Sequence, residues 1–370
     1  MTKESSAVIG LGFGDEGKGR TTSYIASKKE NAIVIRFSGG QQAAHHVITQ
    51  DGLDHVFSNF GSATLQKIPT YWSSFCTFDP EGAMNEYMVL EDKGVIPHLF
   101  VDAKCPVTTP YEKMANMNSE QKKENGTVGV GVGSTWEREK NLLSLLVEDL
   151  QNPTVLKIKM GLIEKYYNLK IDTESFFHAV EDMKNVITMV QGSLSILNNY
   201  NQYIFEGSQG LLLDQEYGFF PHVTRSSVGL KNISKINPIE KLNVFYVTRA
   251  YQTRHGNGPM TNHGNPVRMN PYEQICPGPQ GDFRTAILDL DLLLYSINKD
   301  SRYFDPVNYT KNLVITCLDV LEDNQLTYHQ KLYRFPDKME FIKFISDKLG
   351  FFNSVYYSES PVIEDMRLFE

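Results

Sequence analysis

A glycine-rich turn near the amino terminus constrains the fold more than any other feature of this chain. The turn reads Gly12-Phe-Gly-Asp-Glu-Gly17-Lys18-Gly19, and it follows an apolar run from Ser6 to Gly12 that predicts a short first strand. Glycines let successive backbone N–H groups face an anion closely, and a helix that starts near Lys18 adds a favourable dipole. The sequence therefore predicts a phosphate-binding loop between a strand and a helix.

Two known phosphate-binding patterns overlap in this turn. The first, G-x-G-x-x-G beginning at Gly12, matches the dinucleotide fingerprint, which expects an acidic residue about 20 positions later at the end of the second strand. The second strand instead ends in Phe37-Ser-Gly-Gly40, which disfavours a nicotinamide or flavin site. The other pattern resembles a Walker loop, but Gly19 stands where a Ser or Thr would bind Mg²⁺. We therefore predict that Asp15, inside the loop, is the hard-oxygen ligand of the metal.

The rest of the chain alternates strand-like and helical segments. The run from Ala32 to Phe37 is rich in β-branched residues and predicts the second strand. Leucine, isoleucine and phenylalanine recur at helical spacings from Trp136 to about Leu197 and predict several helices. Further strands are predicted at Tyr203–Glu206, Asn243–Thr248 and Asn312–Cys317. This alternation predicts an α/β protein with one large domain over residues 1–370, in which helices flank a central, mostly parallel sheet.

Composition excludes several classes of function. No apolar run approaches the roughly 20 residues that span a bilayer, and the amino terminus lacks the architecture of a signal peptide. The four cysteines are widely spaced and form no C-x-x-C pair, which disfavours zinc and disulfides and favours a reducing compartment. The net charge is −8 without a basic block, which disfavours a nucleic-acid partner. We therefore expect a cytoplasmic protein whose partners are small molecules, with neither nucleic acid nor membrane among them.

Four further segments accompany the phosphate turn in a fixed order. They are Arg36–His45, Phe205–Asp214 continued by Gly218–Thr224, Thr253–Pro259 and Thr316–Asp319. Together with Gly14–Gly19, they resemble the signatures GDEGKG, GGxNAGH, FEGAQGxLLD…GxxPxVT, TRVGxGP and TKLD of the adenylosuccinate synthetase family. The resemblance implies a ligase in which a nucleoside triphosphate phosphorylates O6 of a 6-oxopurine nucleotide. The amine of aspartate then displaces that phosphate and forms a C–N bond at C6.

The resemblance also implies which residues carry the chemistry. Asp15 would remove the proton from purine N1 and bind Mg²⁺, and Ala44 is the other expected metal-binding position. His45 would hydrogen-bond the phosphoryl group or O6 and assist its departure, and Lys18 would neutralise phosphate charge. A positioned acid or base of this kind contributes roughly 10²–10⁴-fold to the rate.

Binding residues follow from the same motifs. Asp319 would pair with N1–H and N2–H of guanine, which favours GTP over ATP as the donor, and a homodimer is expected. The expected donor-binding residues are Gly14, Glu16, Gly17, Gly19, Arg20, His46 and Asp319. The expected acceptor-nucleotide residues are Gln42, Thr127, Gln209, Leu213, Thr224 and His255. Arg284 and Thr285 are expected to bind the amino acid.

The chain also departs from the family pattern at the acceptor phosphate and at the amino acid. Val128 replaces a phosphate-contacting threonine, and Val130 replaces an arginine. The arginine that reaches a neighbouring subunit has no clear match, although Arg138 lies nearby, as does Lys140. In the amino-acid loop, residues 278–285, Asp282 falls where a cation would hold a carboxylate, which disfavours a dicarboxylic amine unless another cation compensates.

Three alternatives to the main interpretation follow from these departures. Cys317 in place of a lysine makes the donor base less certain, and Gln42 and His255 change the acceptor's surroundings. A phage branch of the family acts on deoxyguanylate and has a smaller residue than the loop aspartate; because Asp15 is retained here, inosinate is preferred, with GMP or dGMP as the alternative. The second alternative is a different amine, and the third is a nucleotide-binding protein without catalytic activity. The presence of both Asp15 and His45 speaks against the third.

Overall fold

The phosphate turn follows an inner strand of a large sheet, as seen in a computed structural model. The structure describes residues 3–119, 124–236, 239–271, 273, 281–304, 309–350 and 352–370. Within these ranges the strands are β1 (Glu4–Gly10), β2 (Ala32–Arg36), β3 (His45–Ile48), β4 (Asp54–Phe57), β5 (Thr70–Trp72), β6 (Leu99–Asp102), β7 (Ile187–Val190), β8 (Gln202–Gly210), β9 (Leu242–Arg249), β10 (Tyr251–His255), β11 (Phe283–Asp289), β12 (Tyr309–Thr316), β13 (Gln325–Tyr328), β14 (Lys331–Arg334), β15 (Ser354–Ser358) and β16 (Met366–Phe369).

The helices of the same ranges lie between these strands. They are α1 (Lys18–Ala26), α2 (Pro80–Asp92), α3 (Pro110–Asn118), α4 (Val132–Lys140), α5 (Pro153–Tyr167), α6 (Glu174–Val186), α7 (Leu194–Leu197), α8 (Leu230–Ile236), α9 (Leu290–Asp300) and α10 (Lys338–Leu349). No helix of the described chain is long and apolar enough to cross a membrane.

The described strands form one ten-stranded sheet and two smaller ones. The large sheet has the order β16-β15-β12-β9-β1-β8-β2-β5-β6-β7, and its neighbours run parallel except for the β15–β16 pair. A four-stranded sheet has the order β10-β11-β13-β14, and β3 pairs with β4 as a hairpin. The predicted fold class, a mostly parallel sheet in an α/β protein, is confirmed.

Both faces of the large sheet are covered by other elements. Successive side chains of a strand point to opposite faces, so the burial of consecutive residues shows this. In β1, Ala7 and Ile9 are fully buried in a cluster with residues of α8, α9 and α10. Val8, between them, is buried on the other face with Ile25 and Ala26 of α1. Burial on both faces explains why the inner strands are almost continuously apolar instead of alternating with polar residues.

Several element boundaries differ from the sequence-based expectation. The first strand is Glu4–Gly10, two residues earlier than predicted, whereas the helix begins at Lys18 as expected. The region 136–197 was predicted to be helical, but Ile187–Val190 forms strand β7 at the edge of the large sheet, paired with β6. A run of four residues is too short for periodicity to separate a strand from the end of the preceding helix.

The parallel strands bring the functional segments to one edge of the sheet, the edge formed by the carboxyl ends of its strands. β1, β8, β9 and β12 are neighbours, so the segments after their carboxyl ends lie side by side. These segments are the phosphate turn, the turn after Gly210, the start of β10 and the turn at Cys317. In open α/β sheets ligands bind at this edge.

Candidate active site

A cavity of about 590 Å³ lies at this edge of the sheet. Most of the predicted site residues line it: Asp15, Gly17, Lys18, Gly19, Arg20, Gln42, Ala44, His45, His46, Thr127, Gln209, Leu213, Thr224, His255 and Asp319. The structure does not bring Gly14, Glu16, Arg284 and Thr285 to its lining. Segments that are far apart in sequence therefore meet around one space large enough for small-molecule ligands.

The phosphate turn has a backbone that glycine makes possible. Gly14 and Gly17 have φ angles of 101° and 93°, in the left-handed region that residues with a Cβ rarely adopt. A Cβ on Gly17 would also lie 3.1 Å from the methyl group of Thr316. Gly17 ends the turn as the residue before α1, and no side chain caps that helix. The first turn of α1 is therefore open toward the cavity, as an anion site requires.

Glu16 stabilises the turn from inside rather than facing the cavity. Its Oε1 accepts hydrogen bonds from the backbone N–H groups of Gly12 at 3.0 Å and Gly14 at 2.9 Å. Its Oε2 lies 2.5 Å from Nζ of Lys18, and both side chains are buried. Lys18 still lines the cavity, and an ammonium group has three donors, so it can bind an anion while paired with Glu16.

Asp15 presents a carboxylate from the tip of the turn. Its backbone has φ 59°, and its carbonyl oxygen accepts a hydrogen bond from Arg249 Nε. Its Oδ2 lies 3.2 Å from Nε2 of His255. Burial alone would raise the pKa of Asp15, but the hydrogen bond and charge of His255, then Arg249 and Lys18, lower that pKa to about 2. The side chain is therefore an anion at neutral pH, as a hard-oxygen metal ligand must be.

His45 is oriented by a buried carboxylate that the sequence analysis did not assign. Nδ1 of His45 lies 2.8 Å from Oε1 of Glu206, which is completely buried in β8. The other oxygen of Glu206 accepts from the backbone N–H of Ser62 at 3.1 Å. Nε2 of His45 is buried and has no hydrogen-bond partner among the described residues. Because Glu206 holds Nδ1, Nε2 is the ring atom left for a ligand.

The surroundings of His45 also set its charge. Burial lowers the pKa of His45, which favours the neutral ring, and the charge of Glu206 opposes this lowering. Glu206 remains ionised, because His45, Arg36 and Ser62 outweigh the burial that would raise its pKa. A proton gained at Nε2 would be stabilised by the buried negative charge on the other side of the ring.

Gly19 permits the close approach of the hairpin that carries His45. A Cβ on Gly19 would lie 2.5 Å from Cβ of His45 and 2.8 Å from Oγ of Ser62. No serine or threonine fits in this position without moving β3. The glycine that replaces the usual metal-binding hydroxyl is thus required by packing against His45.

The predicted acceptor residues all lie on the cavity wall. Thr224 donates its backbone N–H to the carbonyl of Leu213 at 2.8 Å, and the hydroxyl of Thr127 donates to Asn116 at 2.8 Å. Both amide atoms of Gln42 are buried without a partner among the described residues. Buried polar atoms are normally hydrogen-bonded, so Gln42 indicates a polar ligand at this wall.

Arg138 is not available to a neighbouring subunit, which removes it as a substitute for the missing arginine. Its side chain is fully buried, and it donates to Oε1 of Glu112 at 2.8 Å and to the carbonyl of Val107 at 2.7 Å. Arg225, which follows Thr224, does line the cavity, with its guanidinium 3.8 Å from Oε1 of Glu137. Arg225 was not predicted, and its signal in the sequence is a cation beside Thr224, a predicted acceptor-nucleotide residue.

Arg254 faces the cavity where the amino-acid residues were predicted. It is buried, its guanidinium lies 4.1 Å from the ring centroid of Phe13, and burial together with Arg284 lowers its pKa to about 10. Arg284 instead donates to the carbonyl of Gly258 at 2.6 Å, and the hydroxyl of Thr285 bonds the backbone of Val267. Residues 278–280 of the predicted loop lie outside the described residues.

A comparison with models of protein families identifies the family that the five motifs resemble. The family model described as adenylosuccinate synthetase matches residues 7–340. The adenylosuccinate synthetase of Koribacter versatilis is 30% identical over 350 residues, which cover 86% of this chain and 76% of the relative. That of Borrelia recurrentis is 30% identical over 359 residues, which cover 90% of this chain and 81% of the relative.

Two solved structures share the fold. A fully ligated adenylosuccinate synthetase from Plasmodium falciparum superposes with a TM-score of 0.79 at 18% identity, covering 99% of this chain and all of the other. A succinoaminodeoxyadenylate synthetase of cyanophage S-2L, bound to dGMP and to dATP as an energy donor, superposes with a TM-score of 0.69 at 14% identity, covering 100% of this chain and 96% of the other.

Proposed function

This chain belongs to the adenylosuccinate synthetase family of C–N bond-forming ligases, and we propose that it joins the amine of aspartate to C6 of inosinate at the expense of GTP. One observation carries the proposal. An ionised Asp15 on a phosphate-binding turn and a Glu206-oriented His45 line the same cavity. A protein that only binds nucleotides has no need of a base and a proton-bearing ring in one space.

The first step transfers a phosphoryl group to the purine. Asp15 accepts the proton of N1–H, the electron pair moves to O6, and O6 attacks the γ-phosphorus as the bond to the nucleoside diphosphate breaks. A carboxylate whose pKa is lowered is a weak base, and the phosphoryl group arriving at O6 makes N1–H more acidic, which assists this proton transfer. Lys18 and the open N–H groups of α1 stabilise the charge on the phosphates.

The second step forms the C–N bond. The amine of aspartate attacks C6 and gives up one proton, which Nε2 of His45 accepts, and the 6-phosphate leaves with the electron pair of the C6–O6 bond. Nε2 of His45, once protonated, donates a hydrogen bond to the departing phosphate, and Glu206 stabilises the imidazolium. Arg254 is a buried cation on the cavity wall, and its Nε has no hydrogen-bond partner among the described residues, so it suits a carboxylate of aspartate.

The residues present fit a magnesium ion. Among the described residues, no group of three or more His, Cys, Asp and Glu side chains forms a protein-only metal site. Magnesium is usually held by one or two protein oxygens together with substrate phosphates and water. Asp15 and Ala44 both line the cavity, and the carboxylate of Asp15 and the backbone carbonyl of Ala44 would be the protein oxygens that hold the ion. Magnesium bound there would neutralise charge on the triphosphate.

GTP is proposed as the donor because Asp319 is exposed on the cavity wall after the turn at Cys317. A carboxylate accepts N1–H and N2–H of guanine together, which adenine cannot match. The phage structural neighbour, which binds dGMP and uses dATP, supports a second candidate. That candidate is the same chemistry on guanylate or deoxyguanylate with an adenine donor.

The remaining parts of the proposal concern the whole protein. We place the reaction in one domain, residues 1–370, which the continuous ten-stranded sheet supports. A homodimer is supported by apolar side chains exposed along α5. A cytoplasmic location is supported by the buried free thiols of Cys76 and Cys105, since thiols persist in reducing compartments.

The test is a phosphate-release assay coupled to mass spectrometry. GTP and ATP are each combined with inosinate, guanylate and deoxyguanylate, with and without aspartate. We expect phosphate release that needs both inosinate and aspartate, with a succinyl adduct on inosinate. An adduct on guanylate or deoxyguanylate alone would establish the second candidate. Nucleotide binding without release in any combination would refute the ligase.

A further inference from the structure

Arg225 is a cation on the cavity wall whose hydrogen-bond donors remain available. It follows Thr224, and its side chain is 47% exposed. Its Nη2 lies 3.8 Å from Oε1 of Glu137, which is too far for a hydrogen bond. Arg225 donates no hydrogen bond to any of the described residues. A guanidinium group has five N–H donors in a planar fork that fits the oxygens of a phosphate.

The other lysine and arginine side chains on the described part of the cavity wall already bind the protein. Each donates a hydrogen bond to a carboxylate or to a backbone carbonyl: Lys18 to Glu16, Arg20 to Val362, Arg249 to Glu273 and Arg254 to Pro259. Arg225 is therefore the cation of this wall with its whole guanidinium group free for a ligand.

Arg225 lies against a second glycine-rich turn. Gly129 and Gly131 have φ angles of 89° and 83°, in the left-handed region. Gly131 immediately precedes α4, no side chain caps that helix, and residues 126–133 line the cavity. A Cβ on Gly133, in the first turn of α4, would lie 3.4 Å from Cγ of Arg225. The open N–H groups of a helix and a free guanidinium group therefore meet at one place.

The proposed reaction needs a second anion site, because both of its nucleotides carry phosphate. The turn Gly12–Gly19, with Lys18, serves the triphosphate, so the 5′-phosphate of the acceptor binds elsewhere. A Cβ on Gly40 would lie 2.7 Å from Cγ2 of Val132, so the loop that carries Gln42 packs against the first turn of α4. The buried, unpartnered amide of Gln42 indicates a polar ligand beside this turn.

We propose that Arg225 binds the 5′-phosphate of the acceptor nucleotide, and that it does so in the cavity of its own chain. This inference rests on the proposed function, in which the acceptor is a purine nucleotide. It holds for inosinate, guanylate and deoxyguanylate alike, since all three carry this phosphate. Arg225 supplies the positive charge that Val128 lacks and that Arg138 spends on its buried ion pair with Glu112.

The experiment compares inosinate with inosine, which lacks the phosphate. Isothermal titration calorimetry measures the binding of both to the wild type and to Arg225→Gln. We expect the Kd of inosinate to rise at least about tenfold in the variant, because a charge-assisted pair is lost. The Kd of inosine should not change. In steady-state assays the KM for inosinate should rise likewise, while the KM for GTP and kcat at saturating inosinate stay near the wild-type values.

Two further variants serve as controls. Arg225→Lys keeps the charge but not the planar fork, and should show an intermediate loss. Arg367→Gln removes an exposed arginine paired with Asp365 outside the cavity lining, and should leave the Kd of inosinate unchanged. An unchanged Kd of inosinate in Arg225→Gln, or an equal loss for inosine, overturns this inference and leaves the ligase intact. Absence of turnover by the wild type refutes the proposed function, whereas calorimetry with inosinate still tests Arg225.

A mixing experiment tests whether Arg225 acts within its own chain. Arg225→Gln is co-expressed with Asp15→Asn and assayed at low inosinate. If Arg225 reached the cavity of a neighbouring subunit, a mixed dimer would combine an intact Asp15 with an intact Arg225 in one site. We expect no gain over the summed rates of the two variants, because both residues serve the same cavity. A gain toward the wild-type rate would overturn the assignment to one chain.

Discussion

At the scale of single residues, Asp15 is the side chain on which the proposed chemistry depends most directly. Its carboxylate is ionised, lies on the cavity wall and is bonded to His255. Asp15→Asn keeps the shape and removes both the negative charge and the base. We expect kcat to fall at least about 100-fold. Steady-state assays of phosphate release would measure this, with Asp51→Asn, at an exposed position, as the control. Turnover near the wild-type value would contradict the role of Asp15.

Glu206 supports a second prediction at this scale, because it acts through His45. Glu206→Gln keeps a hydrogen-bonding group but removes the charge that would stabilise a protonated ring. We expect kcat to fall at least about tenfold. The KM for GTP should stay near the wild-type value, because Glu206 does not line the cavity.

A matched control exists for Glu206. Glu86 is also buried, and its carboxylate lies 3.5 Å from Nε2 of His55, a histidine outside the cavity lining. Glu86→Gln should leave kcat unchanged if the effect of Glu206 depends on His45. Equal losses of kcat in the two variants would mean that Glu206 has only a structural role.

The sequence predicted the residues whose chemistry is carried by their motif and missed those whose role depends on distant contacts. Asp15 and His45 were assigned from local patterns, and both line the cavity. Glu206 stands inside one of the quoted motifs, but its partner His45 is 161 positions away in the chain. Glu16 lies in the turn, yet its carboxylate bonds the turn's own backbone. Local spacing cannot reveal which way such a side chain points.

At the scale of elements, the strand–turn–helix unit was predictable because glycine, apolar and helix-forming residues all agree there. The helix begins at Lys18 as expected. Strand β7 and the short strands β5 and β6 were not predicted, since each has only three or four residues. Such segments become strands through pairing with neighbours and not through their own pattern.

The junction of α8, α9 and β9 gives a prediction about stability. Asp300, at the end of α9, accepts hydrogen bonds from the N–H of Leu230 at 2.7 Å and from the hydroxyl of Tyr246 at 3.0 Å. Burial raises the pKa of Asp300 to about 7. Between about pH 4 and pH 7 the folded protein therefore holds a proton that the unfolded chain has lost. This group stabilises the fold fully below that range, and its contribution is lost as pH rises through it.

Asp300→Asn tests this linkage, because an amide does not titrate. For the wild type, Asp300 should lower the free energy of unfolding by up to about 1.4 kcal/mol per pH unit within that range. Burial raises the pKa of Asp214 to about 6, so this group adds a slope of the same sign. Urea titrations at pH 4.5, 5.5 and 6.5 should show a weaker dependence on pH in the variant. An identical dependence in both proteins would exclude Asp300 as the source.

At the scale of the whole molecule, the sheet order explains how five short motifs become one site. The neighbouring parallel strands β12, β9, β1 and β8 deliver their following segments to one edge. The hairpin β3–β4 brings His45 and His46 to the same cavity. The sequence predicted a parallel sheet but not its strand order, because order depends on long-range pairing. The buried ion pair of Arg138 with Glu112 likewise depends on the packing of α3 against α4, which the sequence does not predict.

The exposed face of α5 supports the last prediction, which concerns assembly. Ile158, Leu162 and Tyr166 are 59%, 50% and 46% exposed, and their spacing of four residues places them in one stripe along the helix. Leu142 is 93% exposed, and its neighbour Asn141 donates to the hydroxyl of Tyr166 at 3.0 Å. A contiguous apolar patch of this kind is typical of a protein–protein interface.

Leu162→Glu places a charge in the middle of this patch, where a dimer would bury it. We expect the wild-type protein to sediment as a dimer of the 42.0 kDa chain and the variant to sediment mainly as a monomer. Ile96→Glu introduces the same charge at another exposed apolar residue, 62% exposed, and should leave the dimer intact. Circular dichroism of each variant checks the fold. A dimer that persists in Leu162→Glu would place the interface elsewhere, whereas a wild-type monomer at micromolar concentration would remove the homodimer from the proposal.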